Sequence, residues 1–371
     1  MRPIVEIVSS PTPCGVTYLL NILVELEVLI YAGSLDVFWK FKGSEATPSS
    51  SLQRKFGQWI PSLTQDRFRF HDGDPAFSWS HDWPQRQKAG QKRILFVRDP
   101  RDAHFSQHQR SSSGETLKGF LQRPGPPLGL SRITRFCLQK SLWMELSDPD
   151  RFLVVRFEDL KQEPLVWVRK ILQWAGLVRS DEAILEAIRK SSTEKVKEEH
   201  DRSVRETGLA EATGQIIRKG LPFEWKAAPG RADLALYSNG YTRHVLAKLG
   251  YEGGEPLRAR ESLDPVSKDL TRRWASDLYG AGDRYVLPDQ RERLGAELEL
   301  LLHACSPEER FRLGSWPSRS FSYAASRDLR MGTFCLGIRV ADVLLNVSKR
   351  VLPPLERFLI RRLLSFPLGE R

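Results

Sequence analysis

The sequence predicts an α/β protein in which helices flank a central parallel sheet. Short apolar and β-branched segments, such as those at 4–8 and 94–97, have the composition of buried strands. The first is followed by a proline-containing loop and then by apolar residues at helical spacing over 19–26. This alternation favours parallel strands joined by helices, and ligands of such sheets bind at the carboxyl ends of the strands. We therefore expect the functional residues in the loops that follow the strands.

Composition and charge leave several classes of ligand open. The 371 residues suffice for one large domain or two smaller ones, and the net charge of +11 suits an anionic ligand, a nucleic acid or an anionic membrane surface. The four cysteines lie far apart, which argues against a zinc site or a disulfide framework and favours a reducing compartment. No stretch approaches the roughly 20 apolar residues of a membrane span, and no signal peptide is evident. We expect a cytoplasmic protein, with peripheral membrane contact left open.

The loop after the first predicted strand has the features of an anion-binding loop. Pro13 cannot continue the strand, Gly15 allows close approach of the backbone to a ligand, and Thr17 offers a hydroxyl donor. Free N–H groups at the start of the following helix would point at an anion held here. The loop lacks the Gly-Lys-Ser/Thr of nucleoside-triphosphate loops, and an ordinary strand-to-helix turn is the alternative. We expect the helix to stop at about 31–34, where Gly33 supplies a helix end.

A second loop, after the predicted strand at 94–97, combines two arginines with two aspartates. Residues 98–102 read Arg-Asp-Pro-Arg-Asp, and Ser106 follows Arg98 by eight residues. Arg98 can bind a phosphate with two parallel hydrogen bonds, and Ser106 adds a further donor. Asp102 is expected to cap the helix that begins here. The alternative is a strand–turn–helix with solvated charges.

These segments resemble the PAPS-dependent sulfotransferases, where PAPS is 3′-phosphoadenosine 5′-phosphosulfate. Residues 12–19, Thr-Pro-Cys-Gly-Val-Thr-Tyr-Leu, resemble the 5′-phosphosulfate loop of that family, Pro-Lys-Ser-Gly-Thr-Thr-Trp-Leu. Residues 97–102 with Ser106 resemble its 3′-phosphate motif. His81, three residues before Pro84, resembles the histidine of the family's Lys-Thr-His-Leu-Pro strand end.

Three later segments continue the resemblance, which covers residues 1–252. Residues 157–160 resemble the family's Tyr-Glu-Asp-Leu stretch, with phenylalanine in place of tyrosine. Residues 191–197 align with its Thr-Ser-Phe-x-x-Met-Lys segment, and Thr193 replaces the aromatic residue there. Residues 217–220, with Trp225 five residues later, resemble the Arg-Lys-Gly…Trp loop that closes on the 3′-phosphate.

The resemblance implies a P-loop-kinase-like sulfotransferase fold and a specific reaction. The implied activity is transfer of the sulfuryl group of PAPS to a hydroxyl or amine of an acceptor, with release of PAP and without a metal. His81 is implied as the general base, because a hydroxyl attacks sulfur more readily as its proton leaves. The implied nucleotide-binding residues are Gly15, Val16, Thr17, Tyr18, Arg98, Ser106, Ser191, Arg218, Lys219 and Gly220.

The sequence departs from the family at Pro13, which stands where the family has a lysine that stabilises the leaving oxygen. Another cation could supply this charge, and Lys40, Lys42 and Lys219 are the candidates. The alternative is a protein of the same fold that binds PAP or PAPS with weak or no transferase activity. A nucleotide kinase is disfavoured by the missing Gly-Lys-Ser/Thr, and nucleic-acid binding rests on net charge alone.

Residues 253–371 lie outside the resemblance and are predicted to form a mainly helical extension of the sulfotransferase domain at 1–252. Within it, 342–371 carries leucine-rich stretches among lysines and arginines. Such a stripe favours docking on the chain's own domain and leaves contact with a membrane surface as the alternative. The acceptor, whether a small molecule, a glycan or a lipid, and the oligomeric state stay open. Aromatic residues that either line an acceptor pocket or belong to the core are Phe38, Trp39, Phe56 and Trp59.

Overall fold

The computed structural model divides the chain into two compact units, Met1–Pro317 and Ser318–Arg371. The second unit lies outside the described residues, and so does the basic, leucine-rich segment at 342–371. The structure describes residues 3–10, 12–32, 71, 73–81, 84, 91–110, 114–124, 130–198, 220–227, 231–251, 271 and 288–305.

Five parallel strands form the described sheet, which confirms the predicted α/β fold. The strands are β1 (Ile4–Val8), β2 (Ile30–Ala32), β3 (Ala76–Ser80), β4 (Lys92–Val97) and β5 (Phe152–Arg156). Their spatial order is β2-β3-β1-β4-β5, so β1 lies in the middle. Residues such as Ile7, Ile94 and Phe96 are completely buried, as expected of a parallel sheet that is covered on both faces.

Helices connect and cover these strands. They are α1 (Val16–Glu25), α2 (Pro100–Arg110), α3 (Leu117–Gln122), α4 (Arg132–Leu146), α5 (Phe157–Gln162), α6 (Pro164–Ala175), α7 (Asp181–Lys190), α8 (Gly240–Lys248) and α9 (Pro288–Ala304). Several begin at a polar residue whose side chain accepts from the first turn, as sequence preferences for helix starts predict. Examples are Ser131 before α4, Ser180 before α7 and Asn239 before α8.

The strand register places three loop starts side by side. In the parallel pairing Val8 lies opposite Ser80 on one side and Leu95 on the other. The residues after β1, β3 and β4 therefore leave the sheet at the same edge. The chain places β2 and β3 on one side of β1 and then β4 and β5 on the other. At such a switch point a crevice forms at the carboxyl ends of the strands.

The end of α1 differs from the sequence expectation. The helix stops at Glu25 rather than near Gly33, and residues 30–32 form the edge strand β2. Glu27 adopts a left-handed conformation with φ 58°. The Glu27 N–H donates to the Val24 carbonyl and the Val28 N–H to the Leu23 carbonyl, which is a Schellman ending. The sequence gives no signal for it, because glycine rather than glutamate normally occupies this position.

Helix α9, within the predicted extension, packs on α4 and α8. The Tyr241 hydroxyl donates to Glu297 Oε1 over 2.7 Å, and Lys248 Nζ bridges Glu297 at 3.0 Å and Glu145 at 2.6 Å. Helical structure is therefore present in 288–304, while a domain boundary at 252 stays a prediction. Among the described residues, no helix combines the length and the apolar character needed to cross a membrane.

Candidate active site

A cavity of about 300 Å³ opens at the carboxyl ends of β1, β3 and β4. Its volume lies at the lower end of the range of about 300–1,000 Å³ that is common for small-molecule sites. Arg218 and Lys219 lie outside the described residues. The cavity brings together the other predicted site residues, namely Gly15, Val16, Thr17, Tyr18, His81, Arg98, Ser106, Ser191 and Gly220.

The loop that connects β1 to α1 approaches the cavity with its backbone. Gly15 has φ 81°, in the left-handed region, and a Cβ atom at this position would lie 2.4 Å from Cδ2 of Phe157. Both the conformation and the lack of space therefore require glycine. Helix α1 begins at Val16 and has no acidic residue in its first turn. The N–H groups of its first residues and its dipole favour an anion at this end.

His81 follows β3 and contacts the end of β1. Its Nδ1 lies 3.3 Å from the carbonyl oxygen of Ser9 and 3.0 Å from the hydroxyl of Ser9. The tautomer with hydrogen on Nδ1 donates to this carbonyl and leaves the lone pair on Nε2, whereas the other tautomer accepts from the Ser9 hydroxyl. The His81 carbonyl in turn accepts from Nε2 of Gln139, on α4, over 2.9 Å. These contacts hold the ring at the cavity wall.

Arg98 links the loop after β1 to the segment 220–227. It is 5% exposed, and its Nη1 and Nη2 donate to the carbonyl oxygens of Pro13 at 3.4 Å and Leu221 at 2.9 Å. The guanidinium also lies 4.8 Å from the centre of the Phe157 ring. Its Nε has no hydrogen-bond partner among the described residues. One donor of this cation therefore remains for a ligand.

Asp102 does not cap its own helix, contrary to the sequence expectation. The cap of α2 is Asp99, whose Oδ1 accepts from the Arg101 N–H over 2.9 Å. Asp102 is 1% exposed and accepts from the backbone N–H groups of Phe223 at 2.5 Å and Trp225 at 2.8 Å. Burial raises the pKa of the Asp102 carboxyl. Because its partners lie more than 120 residues away in sequence, no local pattern reveals this role.

The 220–227 segment is attached to α2 at further points. Arg101 stacks on the Trp225 ring with its guanidinium carbon 4.2 Å from the ring centre, and a two-point ion pair to Asp99 holds that guanidinium in place. Phe223 has a left-handed φ of 58°, which is uncommon for a residue with a side chain. The contacts of α2 therefore fix the path of this segment beside the cavity.

Two cationic cavity residues that the sequence reasoning missed lie one helical turn from another residue of the cavity lining. Arg110 lies four residues after Ser106 on α2, and Lys161 lies four residues after Phe157 on α5. Residues with this spacing share a helix face, which is the signal that would have identified them. Lys161 Nζ lies 4.2 Å from the centre of the Tyr18 ring. Burial raises the pKa of Tyr18 to about 12 and lowers that of Lys161.

The far wall of the cavity carries a buried polar atom. Ser191 is 2% exposed, and its hydroxyl has no hydrogen-bond partner among the described residues. A Cβ atom on Gly220, which has φ 61°, would lie 2.9 Å from Oγ1 of Thr193. The threonine that replaces an aromatic residue therefore packs directly against the glycine of the predicted phosphate loop.

The remaining sequence expectations fall on other parts of the chain. The aromatic residues at 38, 39, 56 and 59 and the candidate cations at 40 and 42 lie outside the described residues. Within the part of the chain that the structure describes, no three His, Cys, Asp or Glu side chains are grouped so as to hold a metal ion. Cys14, Cys137 and Cys305 are free thiols.

Comparison with known proteins identifies similar sequences and structures. A family model described as “Sulfotransferase domain” matches residues 84–234. Sulfotransferase 1C2 of Homo sapiens is 32% identical over 88 residues, which are 23% of this chain and 29% of that protein. Sulfotransferase 2A1 of Macaca fascicularis is 30% identical over 86 residues, 23% of this chain and 30% of that protein. The match thus spans less than a third of each relative. A crystal structure of retinol dehydratase with retinol and PAP is 19% identical, with TM-score 0.44, over 69% of this chain and 84% of that one.

Proposed function

We propose that this member of the sulfotransferase domain family transfers the sulfuryl group of PAPS to a hydroxyl or amine of an acceptor and releases PAP. The observation that carries the proposal is the single cavity that joins three kinds of group. It contains the N–H donors at the start of α1 and the imidazole of His81. It also contains the guanidinium of Arg98, just before α2, and the hydroxyl of Ser106 on α2. Anion binding and proton transfer are therefore available at one place.

The two anionic ends of PAPS have separate sites in this proposal. The 5′-phosphosulfate lies against residues 15–18, where the backbone and Thr17 donate hydrogen bonds. The 3′-phosphate binds Arg98 and Ser106, together with Arg218 and Lys219. Buried polar atoms that lack a partner among the described residues, Nε of Arg98 and Oγ of Ser191, support a polar ligand in this cavity. Tyr18 and Ser191 then lie beside the adenine.

His81 removes the proton of the acceptor in the proposed reaction. The acceptor hydroxyl gives its proton to Nε2 while its oxygen forms a bond to sulfur. The bond between sulfur and the bridging phosphate oxygen breaks, and the electron pair stays on the phosphate of PAP. The Nδ1–H bond to the Ser9 carbonyl keeps the ring oriented and stabilises the imidazolium that forms. Protein donors and cations balance the charge, so the proposed step requires no metal.

A second candidate function is a PAP- or PAPS-binding protein that does not transfer the sulfuryl group. It is favoured by Pro13, since residues 12–18 contain neither lysine nor arginine beside the leaving oxygen. The position of His81 at the cavity wall favours the enzyme. For either function we expect a cytoplasmic location, as the four separated cysteines suggest.

Radiolabelled PAPS distinguishes the two functions. The protein is incubated with [35S]PAPS and either an extract of the host cell or panels of phenols, alcohols, amines, glycans and lipids. Labelled product that requires the protein supports the enzyme and identifies the acceptor class. If PAPS binds and no label is transferred to any acceptor in the extract, the binding protein is the better description.

A further inference from the structure

Lys140 is a buried cation whose position has no structural explanation. It lies in the middle of α4, and its side chain is 0% exposed. Its Nζ has no hydrogen-bond partner among the described residues. The ring of Phe136, one turn earlier, lies 5.7 Å from Nζ and offsets part of the lost hydration. A buried ammonium without acceptors is unfavourable to folding, so its presence calls for a role in function.

Helix α4 touches the proposed site at two neighbouring residues. Gln139 donates to the carbonyl oxygen of His81. Lys140 interacts electrostatically with the thiol of Cys14, which is 2% exposed and lines the cavity. Burial lowers the pKa of Lys140 to about 8, which leaves the ammonium mainly charged at neutral pH. The cation therefore acts on a buried residue of the loop that faces the proposed phosphosulfate.

The loop itself supplies no charge for an anion. Residues 12–18 are Thr-Pro-Cys-Gly-Val-Thr-Tyr. Besides Lys140, the charged groups that interact with Cys14 are Arg98 and Glu158. Arg98 is shared with the carbonyl oxygens of Pro13 and Leu221, and Glu158 accepts from the Asp99 N–H. Of the charged groups that interact with Cys14, Lys140 is thus the cation without such bonds among the described residues. Lys161, which lines the cavity, lies against the Tyr18 ring instead.

We propose that Lys140 supplies the positive charge that stabilises the 5′-phosphosulfate, and the negative charge that grows on the phosphate oxygen as the sulfur–oxygen bond breaks. It acts through the loop as a positioning charge, and no bond to it forms or breaks. In a buried environment a charge interacts more strongly than in water, because the effective dielectric constant is lower. This inference rests on the proposed function and assigns a new residue to it.

The direct test compares two nucleotides that differ only at the 5′ end. PAP carries both phosphates, whereas adenosine 3′-phosphate lacks the 5′ group. Titration calorimetry of the full chain with both ligands gives the ratio of their affinities. In Lys140→Met, which keeps the length of the side chain, this ratio should fall about tenfold or more, with binding of adenosine 3′-phosphate unchanged. Lys170→Met on the exposed part of α6 is the matched control and should leave the ratio unchanged.

A rescue experiment separates charge from packing. Pro13→Lys in the Lys140→Met background places a cation on the loop and should restore the ratio and the turnover with PAPS. Lys140→Gln provides a second neutral side chain in case the methionine variant does not fold. An unchanged ratio in a folded neutral variant overturns the role of Lys140 while leaving the proposed function intact. Failure of the wild-type chain to bind either nucleotide instead overturns the proposed function, and this inference with it.

Discussion

The two loops that face the anionic ends of the proposed ligand are built in opposite ways. The first loop, residues 12–18, has no charged side chain and approaches the cavity with backbone groups at the start of α1. The second loop, residues 98–102, has four charged residues among five. In the proposed complex the first loop binds through backbone groups that a glycine turn positions, whereas the second loop binds through charged side chains.

The second loop is held in part by partners from distant parts of the chain. Glu158 accepts from the Asp99 N–H at 3.0 Å and from the Tyr251 hydroxyl at 2.7 Å. Asp102 accepts from two N–H groups of the 220–227 segment. The first loop depends instead on close packing, since the ring of Phe157 fills the space beside Gly15. The first loop should therefore be sensitive to added side-chain volume at Gly15. The second loop should be sensitive to loss of a hydrogen-bonding partner.

The largest effect is expected at His81, which follows β3, on the opposite side of β1 from the second loop, and belongs to neither loop. His81→Ala should lower turnover about 10²–10⁴-fold, the usual contribution of a positioned base, because the acceptor loses its proton acceptor. PAP affinity should change little, since both phosphate sites are intact. Steady-state kinetics with saturating PAPS, together with calorimetry, measures the two quantities.

His71→Ala is the matched control for His81. The His71 side chain is 64% exposed and lies 3.8 Å from Glu27, away from the cavity lining. We expect its turnover to equal that of the wild type. Full turnover of His81→Ala with the true acceptor would remove His81 from the reaction.

The first loop is tested by adding one methyl group. Gly15→Ala places a side chain at φ 81°, which costs about 1–3 kcal/mol, and drives Cβ into the Phe157 ring. We expect a lower melting temperature and weaker PAP binding. Gly176→Ala is the control, because Gly176 has φ 88° with nothing within 4 Å of its virtual Cβ. If both variants lose the same stability and PAP affinity, close packing against Phe157 is not what shapes the loop.

The smallest effect is expected at the contact between α2 and the 220–227 segment. Asp102→Asn keeps the size of the side chain and one acceptor oxygen, so one N–H of Phe223 or Trp225 loses its bond. The loss should be about 1 kcal/mol of stability, with a modest decrease in PAP affinity. Thermal unfolding and PAP titration at neutral pH measure both. Unchanged values would show that the segment is held without this carboxylate.

The same variant carries a pH signature with a defined sign. Burial raises the pKa of Asp102 in the folded state above its ordinary value of 3.8. The folded state therefore binds this proton more tightly than the unfolded state does. The resulting contribution to the free energy of unfolding is fully present below the ordinary pKa, and it is lost as pH rises through the higher folded pKa. Melting temperatures of wild type and Asp102→Asn, recorded from about pH 3.5 to pH 7, should show this loss only in the wild type. Parallel curves would contradict a raised pKa.

The sequence predicted the parts of the molecule that depend on neighbouring residues. Strands β1 and β4 contain apolar runs and were predicted as strands, and the family resemblance singled out Arg98 and Ser106, which both line the cavity. The end of α1 was missed because Glu27 adopts a conformation that normally indicates glycine. Asp102 was misassigned because its partners come from the 220–227 segment, and Lys140 gave no signal because its burial depends on how α4 packs.

Binding of PAP and AMP to the wild-type chain and to Arg98→Ala tests the central claim, since AMP lacks the 3′-phosphate. Charge-assisted hydrogen bonds are worth about 1.5–3 kcal/mol each, so the wild type should bind PAP at least about tenfold more tightly than AMP. In Arg98→Ala this advantage should shrink, while AMP binding stays nearly the same. Equal affinities of the wild-type chain for PAP and AMP would contradict the assignment of the cavity to a 3′-phosphorylated nucleotide.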